Sequence, residues 1–116
     1  MKADVTVKEN YEFRRIYRRG KTAVSPTLVL YCQKNRHGKT RLGVTVSTKL
    51  GNAVTRNRIR RRLREIWRLN REKTETGWDM ILVARGRAVR ADYRRLEGDY
   101  LRLVKSVGLC RQEETE

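Results

Sequence analysis

Hydrophobic and polar residues alternate along this chain at spacings that predict three helices. Apolar residues recur every three or four positions in three segments, which places them on one face of a helix. The first segment ends at Gly20, and the second follows Asn52, whose side chain can cap a helix. We predict helices that begin at Thr6 or Asn10 and end at Gly20, that run from about Ala53 to Asn70, and that run from about Asp92 to Val107. The apolar stripe of the last helix is assigned to the core: Tyr93, Leu96, Tyr100, Leu103, Val104 and Val107.

Other segments carry the β-branched, aromatic or alternating pattern that is typical of strands. Thr27–Cys32 and Arg41–Ser47 are predicted strands, and the turn residues between them favour pairing of the two as a hairpin. Trp78–Ala84 is almost continuously apolar, the pattern of a central strand that is buried on both faces. We therefore expect a single sheet with helices packed on it, within one domain that spans residues 1–116.

The charge of the chain narrows the range of functions that it can have. There are 29 Lys and Arg residues against 13 Asp and Glu residues, for a formal net charge of +16, and 21 of the basic residues are Arg. The planar guanidinium suits bidentate contacts with phosphate and stacking on bases, so this composition favours a nucleic-acid partner. No apolar run reaches the roughly 18 residues of a membrane span and no signal-peptide core follows Met1, so we expect a cytoplasmic protein without membrane contact.

The sequence offers no set of residues for protein-based catalysis or metal binding. His37 is the only histidine and lies in a predicted turn, and the carboxylates are scattered, so no acid–base pair is visible. Cys32 and Cys110 stand far apart without a second pair at metal-ligand spacing, and we expect ordinary reduced thiols. We predict no catalytic and no metal-binding residue in the protein.

Half of the excess positive charge lies in the predicted middle helix and its start. Residues 49–71 hold nine basic residues and one acidic residue, a net charge of +8 out of +16. On a helical projection Ile59, Leu63 and Ile66 form an apolar wedge, and basic residues line an adjacent side. This arginine ridge consists of Arg56, Arg60, Arg64, Arg68 and Arg71, with Asn57 and Arg61 beside it. Like charges four residues apart destabilise a helix and only Glu65 can relieve them, so the pattern favours phosphate binding over a merely solvated face.

The start of this helix resembles the RNR signature of the protein subunit of bacterial ribonuclease P. It reads Lys49-Leu50-Gly51-Asn52-Ala53-Val54-Thr55-Arg56-Asn57-Arg58 and continues through Arg60, Arg61 and Arg64. A glycine, Asn-Ala-Val and Arg-Asn-Arg at fixed offsets are far more specific than a basic run. The similarity extends over nearly the whole chain through Phe13, Tyr17 and Gly20, a strand that ends in Tyr31, Leu42-Gly43-Val44 with Ser47, and the Asp79–Ala84 strand before the closing helix.

The resemblance implies an α/β fold, more closely an α+β two-layer sandwich similar to the second domain of a small-subunit ribosomal protein. A single central sheet of about four strands would carry three helices, with a left-handed crossover around the Arg-rich helix, although about 98% of such connections are right-handed. The implied function is that of the protein subunit of a ribonucleoprotein endonuclease, whose catalytic subunit is RNA and which removes the 5′ leader from precursor tRNA. We expect one protein monomer per ribonuclease P RNA, and Mg²⁺ held mainly by the RNA.

The resemblance also implies two sets of binding residues. Those for the RNA subunit are Lys49, Asn52, Arg56, Asn57, Arg58, Arg60, Arg61, Arg64 and Arg68. Those for the single-stranded leader are Phe13, Arg14, Tyr17, Lys21 and Tyr31. Aromatic faces stack on unpaired bases with little demand for sequence. The other interpretation of Phe13 and Tyr17 is that they pack the first helix onto the sheet, which is the role we assign to Ile16.

Two other functions fit the charge. A non-catalytic ribosomal-type protein or RNA chaperone would bind RNA without preferring precursor over mature tRNA. A helix-turn-helix DNA-binding protein is disfavoured, because strands rather than a partner helix precede the basic helix.

Overall fold

The computed structural model describes residues 6–7, 9–36 and 38–109, which form three α-helices and a four-stranded sheet. The helices are α1 (Asn10–Arg19), α2 (Ala53–Leu69) and α3 (Tyr93–Ser106). The strands are β1 (Lys21–Val24), β2 (Leu28–Lys34), β3 (Arg41–Thr45) and β4 (Trp78–Ala84). The predicted helices and strands are thus confirmed to within a few residues. The short strand β1 was not predicted from the sequence. Our assignments of His37 and Cys110 fall outside the described residues.

The sheet has the strand order β1-β2-β4-β3, so the predicted hairpin between β2 and β3 is wrong. β4 lies between them, antiparallel to β2 and parallel to β3. Its apolar side chains are buried on both faces of the sheet, which favours a central position with a neighbour on each side. The hairpin partner of β2 is β1, and Ser25 closes their turn with hydrogen bonds to the backbone of Leu28 at 2.8–3.0 Å.

α2 connects the two parallel strands of the sheet. The chain runs from β3 through α2 to β4, and the two strands pair from Arg41 with Asp79 to Thr45 with Val83. The α+β sandwich with a mixed sheet is therefore confirmed, as is the position of the Arg-rich helix between two parallel strands. The left-handed sense of this crossover stays a prediction.

The two faces of the sheet are covered unequally. One face packs against α2 and α3 and forms the main core, in which Trp67, Leu82 and Tyr100 are fully buried. The other face packs against α1, and here Ile16 meets Ile81 in a smaller cluster. On this second face a row of side chains remains at least partly accessible; strand register places Val24, Val29, Val83 and Thr45 side by side. The unequal cover leaves this row accessible beside α1.

The apolar stripe of α3 is confirmed as core. Leu96, Tyr100, Leu103, Val104 and Val107 are buried, and Tyr93 is partly buried. No helix of the described residues is both long and apolar enough to cross a bilayer.

Candidate nucleic-acid interfaces

The start of α2 is a fixed cluster of polar groups and backbone amides. The Oδ1 of Asn52 accepts a hydrogen bond from the Thr55 amide at 2.9 Å, which confirms the predicted cap. The preceding Gly51 has a φ of 145°, a region that favours glycine, and its carbonyl accepts from Arg56 Nε at 3.2 Å. Lys49 and Asn52 are exposed beside the positive end of the helix dipole, where an anion is stabilised.

The arginine ridge lies on the accessible side of α2, as predicted. Ile59, Leu63, Ile66 and Trp67 are buried against the sheet. The ridge and its neighbours are exposed or half-exposed: Arg56, Asn57, Arg60, Arg61, Arg64, Arg68 and Arg71. Among the described residues, the ridge forms one ion pair, between Arg68 and Glu65 at 3.3 Å, and both side chains are exposed enough to make it weak. The cations of the ridge are therefore available to an external polyanion.

Arg58, from the RNR-like stretch, lies on the opposite flank of α2 together with Arg62. Arg58 Nη2 donates to the Val89 carbonyl at 3.5 Å, and Arg62 Nη1 donates to the Ala91 carbonyl at 3.3 Å. Both side chains are half-buried and tie α2 to the segment before α3. The structure thus separates Arg58 from the ridge, and its contact with RNA stays a prediction. Sequence could not reveal this difference, since both flanks carry arginines at helical spacing.

Three of the predicted leader-binding residues meet in an aromatic cluster between α1 and the sheet, formed by Phe13, Tyr17 and Tyr31. The ring centroids of Tyr17 and Tyr31 are 4.7 Å apart and the planes nearly perpendicular at 83°, while Phe13 lies 6.2 Å from Tyr17. The Tyr17 hydroxyl hydrogen-bonds with Thr45 Oγ1 at 3.2 Å. Tyr17 is 38% exposed, and Phe13 and Tyr31 are half-buried. The cluster both packs α1 onto the sheet and presents accessible ring surface.

The aromatic cluster borders the partly accessible row of side chains described above. Tyr31 and Val29 point to the same face of β2, so the rings continue into the partly accessible row that ends at Val24, which is 61% exposed. We call the cluster and this row the aromatic cleft. Its surface is apolar and aromatic, which suits the faces of unstacked bases better than a phosphate backbone.

The other two predicted leader-binding residues lie outside this cluster. Arg14 is exposed on the outer side of α1. Lys21 points to the opposite face of the sheet, where its Nζ donates to the Val107 carbonyl at 3.4 Å and lies 5.8 Å from the centroid of the Trp78 ring. Strand alternation explains this placement, because Lys21 pairs with Cys32, whose side chain faces the main core.

A buried charge network, missed at the sequence level, holds α1 over the sheet. Arg41 of β3 binds Glu12 of α1 at 2.9 Å and makes two 2.8 Å bonds to the carboxylate of Asp79 in β4. Asn35 also donates to Asp79 at 2.8 Å, and Asp79 is 1% exposed. The hydrogen bonding of Arg41 to the Asp79 carboxylate, in which Arg41 donates, is the main cause that raises the pKa of Arg41 further above its high ordinary value. The signal in the sequence was a single carboxylate inside the apolar run of β4.

The single described cysteine is a packing residue. Cys32 is fully buried in the main core, and this burial, opposed in part by the nearby Lys21, raises the pKa of its thiol to about 11. Such a thiol is protonated at neutral pH and a poor nucleophile, as expected. Among the described residues, His, Cys, Asp and Glu side chains do not form a group of three that could hold a metal ion.

Comparisons with known proteins agree with this geometry. The family model of ribonuclease P matches residues 1–108. The ribonuclease P protein component of Natranaerobius thermophilus is 42% identical over 108 residues, which cover 93% of this chain and 94% of the relative. That of Clostridium botulinum (strain Loch Maree) is 43% identical over 104 residues, which cover 89% of this chain and 94% of the relative.

Solved structures show the same fold. The ribonuclease P protein of Staphylococcus aureus superposes with a TM-score of 0.85 at 30% identity, covering 94% of this chain and 100% of that chain. The protein from Thermotoga maritima gives a TM-score of 0.81 at 28% identity, covering 88% of this chain and 96% of that chain.

Proposed function

The chain belongs to the ribonuclease P protein family, and on this premise we propose how it acts. It assembles with ribonuclease P RNA as one protein per RNA, in the cytoplasm, and the complex removes the 5′ leader from precursor tRNA. The RNA is the catalytic subunit, and the protein contributes binding surfaces. The observation that carries this proposal is the arginine ridge of α2, whose cations extend from a capped helix start and form one weak ion pair among the described residues.

The ridge would bind the RNA subunit. Arg56, Arg60 and Arg64 follow each other at intervals of one helical turn, so their guanidinium groups can contact successive phosphates. Lys49 and Asn52 would extend this contact to the helix start, where backbone amides and the helix dipole favour an anion. Phosphate contacts position a protein without reading sequence, which is the task of a subunit that must bind one RNA in one orientation.

The aromatic cleft would bind the single-stranded leader. Tyr17 presents accessible ring surface, and Tyr31 and Val29 extend the surface along β2. Stacking on aromatic rings tolerates any base, which suits an enzyme that processes precursors with different leaders. The exposed Arg14 on the outer side of α1 could reach the phosphates of a strand that leaves the cleft, whereas Lys21, on the opposite face of the sheet, could contribute only after leaving its position beside Trp78.

We propose that Mg²⁺ is bound mainly by the RNA. The two fully buried carboxylates of the described chain, Asp79 and Asp99, are already engaged by arginines: Asp79 by Arg41, and Asp99 by Arg95 and Arg102. These two carboxylates are therefore not available to a divalent cation, and His, Cys, Asp and Glu side chains of the described residues do not form a group of three that could hold one. Activation of water and stabilisation of the leaving oxygen, the chemistry that Mg²⁺ supplies, would belong to the RNA.

Reconstitution at low Mg²⁺ tests this function. Precursor tRNA is incubated with the protein, with the ribonuclease P RNA of the same organism, or with both, and formation of the mature 5′ end is followed. We expect rapid cleavage with both, slow cleavage with RNA alone and none with protein alone. Cleavage that persists without RNA, or an RNA whose rate is unchanged by the protein, would contradict the proposal.

Affinity for tRNA separates the proposal from the RNA-chaperone alternative. The holoenzyme is titrated with precursor tRNA and with the same tRNA without its leader. A subunit that binds the leader should favour the precursor, whereas a general RNA chaperone should bind both equally.

A further inference from the structure

One face of β3 makes three successive contacts with α1. Side chains of a strand point to alternate faces of the sheet, and the residues of β3 between those in the main core face α1. In order along β3, the contacting pairs are Arg41–Glu12, Gly43–Phe13 and Thr45–Tyr17. The second and third pairs contain rings of the aromatic cleft. The first pair holds the start of the helix that carries both rings.

This first pair is a buried contact with a fixed direction. Arg41 Nη1 lies 2.9 Å from Glu12 Oε2, while Nε and Nη2 of the same guanidinium donate to Asp79 at 2.8 Å. One planar group thus joins α1 to both β3 and β4. The Arg41 side chain is 13% exposed, and Asn35 donates a further hydrogen bond that fixes the Asp79 carboxylate. Because these donors have set directions, the contact specifies one position of Glu12 on the sheet.

Stability alone does not explain an ion pair at this place. Burial of charged groups costs desolvation, and apolar residues of similar volume are often as stabilising. The apolar contact of α1 is small, since Ile16 is the one apolar side chain of this helix that is fully buried. A single buried point lets a helix swing over the sheet. Glu12 lies one turn before Ile16 on the same face of α1, so Arg41 supplies the second fixed point that defines the helix axis.

We propose that Arg41 is a positioning residue for leader binding. Through Glu12 it fixes α1, so that the rings of Phe13 and Tyr17 are held in the orientation in which unpaired bases stack on them. Arg41 acts without touching the leader, because its guanidinium is turned to Glu12 and Asp79. The inference rests on the proposed binding of the leader in the aromatic cleft, and it identifies the group that holds the rings of that site.

The test opens the contact from the side of α1. Glu12→Ala removes the helix partner and leaves the Arg41–Asp79 pair within the sheet, so the buried Asp79 keeps its cation. Glu12→Gln is the conservative variant, since its amide oxygen can still accept from Arg41. The matched control is Asp99→Asn, which disturbs the other buried carboxylate network, on the face of the sheet away from α1. Urea unfolding gives the stability of each full-length variant.

The first measurement uses the free protein and is independent of RNA. One α-proton of Gly43 points at the Phe13 ring, because a β-carbon in its place would lie 2.9 Å from two ring atoms. The ring current shifts the NMR resonance of this proton, which therefore reports the position of the ring. Glu12→Ala should move the resonance towards the ordinary glycine value, whereas Glu12→Gln and Asp99→Asn should leave it near that of the wild type. An unchanged resonance in Glu12→Ala would overturn the proposal.

The second measurement is the ratio of the affinities for precursor and mature tRNA in the reconstituted holoenzyme. Glu12→Ala should lower this ratio, by less than the roughly 5- to 150-fold that complete loss of one stacked base would cause. Loss of a carboxylate makes the protein more positive and favours RNA binding, so charge cannot explain a lower ratio. Arg41→Lys keeps the net charge but replaces the planar fork by one ammonium, and it should also lower the ratio. Glu12→Gln and Asp99→Asn should preserve it.

Coupling to Tyr17 separates positioning from a general loss of stability. When Tyr17 is already Ala, Glu12→Ala should lower the ratio by a smaller factor than in the wild type, because one of the rings that it positions is absent. Equal factors in the two backgrounds, or equal falls in Glu12→Ala and Asp99→Asn, would overturn the proposal. If Tyr17→Ala lowers the ratio and Glu12→Ala does not, the positioning role fails while the proposed leader site stands. If neither variant lowers it, both fail.

Discussion

Phe13 of α1 rests directly on the backbone of Gly43 in β3, since a β-carbon at Gly43 would lie only 2.9 Å from two atoms of the Phe13 ring. This close approach lets α1 lie low on the sheet. It also places Tyr17, one turn further along α1, within hydrogen-bond distance of Thr45 and in contact with Tyr31. The shape of the aromatic cleft therefore depends on the absence of a side chain at Gly43.

Gly43→Ala should displace the Phe13 ring and destabilise the protein by about 1–3 kcal/mol, the usual cost of overpacking. Removing the ring as well should relieve the clash, so Phe13→Ala combined with Gly43→Ala should lose less stability than the sum of the single variants. Urea unfolding of all four proteins measures this coupling. Strict additivity would show that the two residues do not constrain each other.

Replacing Arg56 and Arg60 by Ala should weaken assembly with the RNA subunit. The slope of log affinity against log salt should fall by roughly 0.7–0.9 for each lost phosphate contact. Titration of the RNA at several salt concentrations gives the slope, and replacement of Arg94 and Lys105 by Ala serves as a control for charge alone. An unchanged slope in the ridge variant would remove the ridge from the RNA interface.

Loss of an aromatic face should harm precursor tRNA more than mature tRNA. Tyr17→Ala should weaken precursor binding by about 1–3 kcal/mol per lost stacked base, whereas Tyr17→Phe keeps the ring and should lose little. Phe13→Ala should show the same preference, with an added loss of stability because the ring is half-buried. The measurement is the ratio of the two affinities in the reconstituted holoenzyme. If the affinities for precursor and mature tRNA fall by the same factor, these rings only pack α1 onto the sheet and do not bind the leader.

Asp99 of α3 should make stability depend on pH in the acid range. Its carboxylate is fully buried and accepts from Thr27 Oγ1 at 2.6 Å, with Arg95 at 3.3 Å and Arg102 at 2.9 Å. Burial alone would raise the pKa of Asp99, but the hydrogen bonds from Thr27 and Arg95 and the charges of the two arginines outweigh it, so the pKa is lowered.

A carboxylate with a lowered pKa stabilises the fold above its unfolded pKa of about 3.9, and this stabilisation is lost as pH falls through the folded pKa. Asp99→Asn should therefore cost about 1–3 kcal/mol at pH 7, since an NH2 group replaces one carboxylate oxygen and either the buried Thr27 hydroxyl or an arginine loses its acceptor. The variant should also lose less additional stability between pH 5 and pH 2 than the wild type. Urea unfolding across this range tests the difference. Parallel curves for the two proteins would contradict the role of Asp99.

Local patterns in the sequence were sufficient for the elements and for the arginine ridge. Helical spacing is a property of neighbouring residues, so the buried wedge at Ile59, Leu63 and Ile66, the cap at Asn52 and the accessible arginines could all be predicted. The charge excess likewise indicated a polyanion without any knowledge of the fold.

The tertiary structure alone decided what depends on residues far apart in the chain. Strand order depends on which strand can be buried on both faces of the sheet. β4 meets this condition, so β4 and not β3 lies next to β2. The register of β1 against β2 places Lys21 on the face of the sheet opposite to Tyr31. The packing of α2 on the sheet places Arg58 beside the Val89 carbonyl. The aromatic cleft arises in the same way, because it exists only where α1 meets strands that follow it in the chain.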